Sequence, residues 1–210
     1  MALITTLLMI GLLTAIGLGL TMLSTVETWL GAGLRTSQAL SYAADAGVAR
    51  VQVDLTASPD WTTLLAASTT TSPSGFNDGV SRPTLADRTV VDLAVETTRV
   101  QSESDALYGG GGANPDSPVW RLFAHGPIAT LVPGRIAETP LYVAAWIADD
   151  PSDGDRNPDA DANGRLLIRS TAFGSGGARR SAEAAVARVG AAGSAGRPSA
   201  VKMISWKELR

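Results

Sequence analysis

The chain opens with a long stretch that holds no polar face. From Ala2 to Leu23 almost every side chain is apolar, and Thr5, Thr6, Thr14 and Thr21 supply its only hydroxyls. The first charged residue is Glu27, and the first proline is Pro59. At about 1.5 Å per helical residue, 22 residues reach about 33 Å, which matches a bilayer core of about 30 Å. The pattern predicts a membrane-spanning helix with Leu3, Ile4, Leu7, Leu8, Ile10, Leu12, Leu13, Ile16, Leu18 and Leu20 around its surface. A cleaved signal peptide, a simple signal anchor and a buried core helix are the competing readings. A signal peptide has a basic start and a shorter apolar core. Here no basic residue precedes the apolar run, so either Glu27 and Arg35 set the orientation or a basic leader has been removed ahead of Met1.

Beyond Leu23 the pattern changes without a break. Val26, Leu30, Leu34, Leu40, Ala44, Val48, Val51 and Leu55 recur at spacings dominated by threes and fours, while Glu27, Arg35, Gln38, Asp45, Arg50 and Asp54 fall between them. That is one face of a helix. The two stretches together predict a single helix of about 50 residues, about 75 Å long. Residues 1–24 form its apolar half and 25–56 its amphipathic half, which needs a folded partner along one stripe.

Residues 57–210 read as a mixed head. Asp60 is placed to cap a short helix running to Leu65, and residues 66–87 are loop-like. The β-branched run Thr89–Gln101 predicts a strand, as do Val119–Ala124 and Leu141–Ile147. Gly109–Gly112 with Asn114 and Pro115 predicts a loop. Arg165–Phe173, a turn at Gly174–Gly177 and Arg179–Val189 predict a hairpin, although the alanines of the second arm also favour helix. Residues 190–199 read as a linker, and Val201–Trp206 as an edge strand. The sum is an α+β chain: one long N-terminal helix on an antiparallel sheet of four to six strands.

Composition removes several functions. Lys and Arg number 17 against 20 Asp and Glu, a net charge of −3, which argues against nucleic-acid binding. Cysteine is absent, so there is no disulfide and no thiolate metal site. A single histidine, His125, makes a histidine-built metal site or a Ser-His-Asp triad a poor expectation. No nucleophile elbow, dinucleotide fingerprint or phosphate loop is present, and no enzymatic activity is expected. Trp61, Trp120 and Trp146 are expected in the head's core, and Trp29 at a membrane interface or against a neighbouring helix.

One stretch carries chemistry. Residues 149–164 hold Asp149, Asp150, Asp153, Asp155, Asp159 and Asp161, with Asn157 and Asn163, against one Arg156. Hard oxygen donors on a bent loop are what Ca²⁺ requires. Asp159 to Gly164 has the opening of an EF-hand loop, but Ser170 stands where that motif needs a glutamate. The alternatives are a calcium site, with Asp149, Asp150, Asp153, Asp155, Asp159, Asp161 and Asn163 as candidate ligands, and a solvated acidic loop.

The segment QALSYAADAGVARVQVDL closes the long helix, with Gln38, Ala39, Ala43, Asp45, Ala46, Gly47, Arg50, Asp54 and Leu55 as its marked positions. Joined to the apolar start, it resembles the type IV pilin-like superfamily and, more narrowly, the PilX-type minor pilins and pseudopilins. Over 56–210 the likeness is thinner, carried by DWTTLL, VWRLFAHGP, IADDPSDGD and AFGSGGARR; it favours strand for the second hairpin arm. The resemblance implies a precursor cut just before Met1 by prepilin peptidase and then N-methylated. It further implies a subunit that waits in the inner membrane and is extracted into a cell-surface filament with other pilin subunits, serving adhesion or secretion. Most pilins have glutamate at the fifth mature position, where this chain has Thr5, which points to a minor or tip-associated place rather than the main filament subunit. A membrane-anchored binding domain that never polymerises is the alternative of another class. Gly17, Gly19, Gly31 and Gly33 are either small-residue packing sites in lipid or places where the helix melts on extraction.

Overall fold

The computed structural model describes residues 2–66, 74–110, 114–131, 140–189 and 200–209. Helix α1 runs unbroken over Ala2–Ala57. The chain divides into two units, one up to Gln38 and one from Ala39 onward.

The second unit is built on a five-stranded sheet in sequence order: β1 (Arg121–Pro127), β2 (Tyr142–Asp149), β3 (Arg165–Phe173), β4 (Arg179–Val189) and β5 (Ala200–Leu209). Every neighbouring pair is antiparallel. The α+β architecture of a long helix on an antiparallel sheet is therefore what the chain adopts. The predicted hairpin is present, and its second arm is a strand. A three-residue 3₁₀ turn, Ser175–Gly177, joins the arms, and Gly176 and Gly177 both take positive φ there. The edge strand extends three residues beyond Trp206, to Leu209. The linker at 190–199, Met1, Gly111 and Gly112 lie outside the described residues, as does part of the predicted 66–87 loop.

Strand β2 is buried at all eight positions, which a half-solvated sheet would not allow. Helices cover it on both sides. Val143, Ala145 and Ile147 join a core with Leu40, Ala44, Val48, Val51 and Leu55 of α1, and with Trp61 and Leu65 at the short helix α2 (Thr62–Ala66). Asp60 caps α2 through a bond from the Thr62 N–H (3.0 Å). Tyr142, Ala144, Trp146 and Ala148 join a second core with Leu93, Val100 and Trp120. Trp61, Trp120 and Trp146 are all core residues.

The second covering layer corrects one expectation. Residues 89–101 do not form a strand; α3 occupies Leu93–Tyr108. Its apolar stripe is sparse, with only Leu93, Val100 and Ser104 buried, and so the β-branched composition dominated the sequence pattern. The ends decide the matter. Asp92 accepts from the Ala94 and Val95 N–H groups, and Gly109 closes the helix in the left-handed region at φ 76°. Arg99, itself half-buried, bridges Glu96 (2.7 Å) and Glu103 (2.5 Å) along the helix. The Trp146 indole N–H donates to the Thr97 hydroxyl at 2.8 Å, tying α3 to the sheet. A four-residue helix, α4, occupies Ile128–Leu131.

The predicted stripe on the amphipathic half is buried only from Leu40. Leu40, Ala43, Ala44, Gly47, Val48, Val51 and Leu55 are covered, whereas Val26, Leu30 and Leu34 stay exposed. Burial of Leu40, Val48, Val51 and Leu55 contributes about 1.5–3 kcal/mol each. The closest approach is at Gly47, where a Cβ would stand 2.2 Å from Ser170 Oγ and 2.7 Å from Val143 Cγ1. The flank of the same helix makes a polar seam with β5. Ser41 donates to Glu208 (2.9 Å), Asp45 accepts from the Trp206 indole (3.0 Å), and the Gln52 amide donates to the Val201 carbonyl (2.9 Å).

Candidate functional site

The helix up to Gln38 presents its apolar side chains to the outside all the way round. Leu3, Ile4, Leu7, Leu8, Ile10, Leu12, Leu13, Ile16, Leu18 and Leu20 are all at least half exposed, and Trp29 is 76% exposed. A helix that is apolar on every side is stable only in lipid or among other apolar helices. Its threonine hydroxyls are already satisfied. The hydroxyls of Thr5, Thr14, Thr21, Thr25 and Thr28 donate to backbone carbonyls three or four residues back, Thr5 to Ala2 at 2.8 Å and Thr14 to Ile10 at 2.7 Å. None of these threonine hydroxyls would be left unpaired on entering a non-aqueous medium, and the first charged side chain, Glu27, lies beyond the apolar run that ends at Leu23. Gly17, Gly19, Gly31 and Gly33 sit in regular helix with open space at each Cβ position. Among the described residues, α1 is the one helix long and apolar enough to cross a membrane.

Several marked residues of the helix-closing segment take part in docking or in ordering the helix. Ala43, Gly47 and Leu55 face the sheet. The Arg50 guanidinium pairs with Asp54 one turn on (2.9 Å), and Asp54 also accepts from the Ser74 hydroxyl (2.5 Å). Asp45 takes the Trp206 indole.

In the acidic stretch, three of the seven candidate ligands come together. Asp149 ends β2, Asp153 lies in the β2–β3 connection and Asp161 precedes β3; each offers a carboxylate oxygen, and these lie within 4.8 Å of one another. Asp153 Oδ2 accepts from the Ala162 (2.7 Å) and Asn163 (3.1 Å) N–H groups, and Asp161 Oδ1 accepts from those of Gly164 (2.6 Å) and Arg165 (3.2 Å). Asp149 is 5% exposed, and its Oδ1 is buried with no hydrogen-bond partner among the described residues. Burial pushes its carboxyl up to about 7; the Asp150 N–H opposes this, and the charges of Asp153, Asp161 and Asp155 add to it. Asp161 is raised too, by burial first, with its backbone N–H donors and Arg188 opposing. The remaining candidates serve the loop instead. Asp150 accepts from Ser152, Asp155 from the Asn157 N–H (2.8 Å), and Asp159 pairs with Arg121; Asn163 contributes its backbone N–H to Asp153.

A third feature has no signal in the sequence. His125 Nδ1 lies 2.8 Å from the Tyr142 hydroxyl, which donates to Asp78 Oδ1 at 3.0 Å. With the hydroxyl proton committed to Asp78, Nδ1 carries the proton that it donates to the Tyr142 oxygen. Of the three, His125 lines a cleft of about 470 Å³, together with Asn77, Gly79, Ser81, Leu93, Ala94, Thr97 and Leu122. Burial holds the imidazole below its ordinary 6.5, against the pull of Asp78. The lowered folded value means that the neutral ring's share of stability is present above pH 6.5 and is lost as pH falls toward the folded value. Because His125 is the only histidine, its NMR titration is unambiguous. The expected midpoint lies below 6.5, and a midpoint at or above 6.5 would refute the buried, neutral placement.

No family model matches this chain, and it matches no curated protein and no solved structure.

Proposed function

We propose that the chain is a structural subunit of a type IV pilus or a related, type II secretion-like filament, in a minor or tip-associated position. Its helix over residues 2–24 packs against the like helices of other subunits, and the inner membrane holds it before assembly. The observation that carries this reading is a helix apolar on all sides, with its hydroxyls satisfied internally, continuous with a segment docked on a folded head. Lipid alone would also accept such a helix. Its unbroken run from the apolar segment into Leu40–Leu55, seated on the sheet, favours a subunit whose head travels with the helix into an assembly. Thr5 supports the minor or tip-associated place. A threonine carries no carboxylate to pair with a neighbour's N-terminal amine inside a filament, and its hydroxyl donates to the Ala2 carbonyl.

Mechanical shearing of cells that make the chain, followed by sedimentation of the released material, tests the proposal. A filament subunit appears in the sheared, high-mass fraction at low copy relative to another pilin. Complete retention with the membranes would instead mean an anchored domain. Filaments composed mainly of this chain would make it the principal subunit.

A further inference from the structure

We propose that Asp149, Asp153 and Asp161 form a calcium site that staples the β2–β3 connection to the end of the sheet. Three carboxylates from three points of one connection converge although like charges repel. Backbone N–H groups hold one oxygen of Asp153 and one of Asp161, which fixes both carboxylates and leaves the other oxygen of each without a hydrogen bond among the described residues. Asp149 supplies the independent sign. It is 95% buried by its 5% exposure, it belongs to the converging trio, and its Oδ1 has no partner. A buried carboxylate oxygen left bare costs free energy that a bound cation recovers.

Charge and spacing favour a hard divalent ion. Arg188, which stacks over the Trp61 ring at 4.5 Å and donates to the Pro59 carbonyl at 2.7 Å, acts electrostatically on Asp161. One guanidinium set against three carboxylates leaves two negative charges. Oxygens that all lie within 4.8 Å of one another are within reach of one ion, and an irregular connection suits Ca²⁺, which takes six to eight oxygens in flexible geometry at about 2.3–2.6 Å, better than Mg²⁺, which demands a near-octahedral set at about 2.0–2.1 Å. Water completes the coordination. Thr62 links the site to the helical layer, because its hydroxyl accepts from the Asp161 N–H at 3.2 Å. The site does not depend on whether the chain enters a filament.

The test is thermal melting of the full chain in detergent micelles, followed by near-ultraviolet circular dichroism, in EDTA, in 10 mM calcium chloride and in 10 mM magnesium chloride. For a dissociation constant of about 10⁻⁴–10⁻³ M, calcium raises the melting temperature by roughly 3–10 °C, and magnesium by less than half as much. Asp149→Asn keeps the shape and removes the charge. The variant melts in EDTA at or above the parent's temperature, which shows that it folds, and it loses the calcium response. An unchanged parent melting temperature in calcium, an equal response to magnesium, or an undiminished response in Asp149→Asn would each overturn the proposal.

Discussion

Replacing Leu13 with aspartate is expected to reduce the chain in both the membrane and the sheared fractions by at least tenfold. Leu13 lies in the middle of the apolar run and is 61% exposed in the isolated chain. In lipid the change from leucine to a carboxylate costs about 3–4 kcal/mol at the helix centre, a factor of several hundred in the insertion equilibrium. Among packed helices the outcome is similar, because an unpaired carboxylate would be buried with no cation beside it. The head's buried core begins at Leu40, so the melting of the head should be unchanged, and a loss of head folding would point to a different cause. Leu13→Thr is the contrasting case. Thr14 in the same turn already returns its hydroxyl to the Ile10 carbonyl, so a threonine at 13 has the same outlet and should leave fractionation within about twofold of the parent. Equal loss with threonine and with aspartate would show that shape, rather than charge in an apolar medium, governs the segment.

Gly47→Ala is expected to lower the stability of the head by about 2 kcal/mol, or roughly 4–8 °C in melting temperature. In an exposed helix the same change would stabilise by about 1 kcal/mol. Here the added methyl would stand 2.2 Å from Ser170 Oγ and 2.7 Å from Val143 Cγ1, both on strands packed against the helix. The sign of the effect therefore separates docking from propensity. Ser170→Ala offers a partial rescue, because it removes the 2.2 Å contact and leaves Val143 Cγ1 at 2.7 Å and Ser170 Cβ at 3.2 Å. Alone, Ser170→Ala should be neutral or mildly stabilising, since it removes a buried hydroxyl that has no partner. The double variant should melt above Gly47→Ala. Additive losses would mean that the helix does not press on the sheet at this point.

How much was legible follows from where the information sits. The long helix could be read directly because two local signals agree over its whole length: no proline before Pro59, and apolar positions that change from all-round to one-sided. The hairpin over 165–189 could be read from its turn glycines, two of which take positive φ. Helix α3 could not, because its pattern is governed by capping at Asp92 and Gly109 and by a single indole bond from Trp146, while its composition speaks for a strand. Strand β2 appeared simply apolar; that both its faces are covered is a tertiary fact. The acidic loop was visible as a cluster of charges, but only folding separates Asp149, Asp153 and Asp161 from the aspartates that cap turns or pair with Arg121. The His125–Tyr142–Asp78 chain joins residues 17 and 64 positions apart, and no local pattern announces it.

Residues 2–24 are proposed to leave lipid and pack against helices of the same kind. A photoreactive p-benzoylphenylalanine placed at Leu13 reports what that side chain touches. After illumination and shearing, adducts are expected in the released high-mass fraction between this chain and a second polypeptide that has its own apolar N-terminal helix. Adducts to lipid alone, with all of the chain held in the membrane fraction, would contradict the proposal.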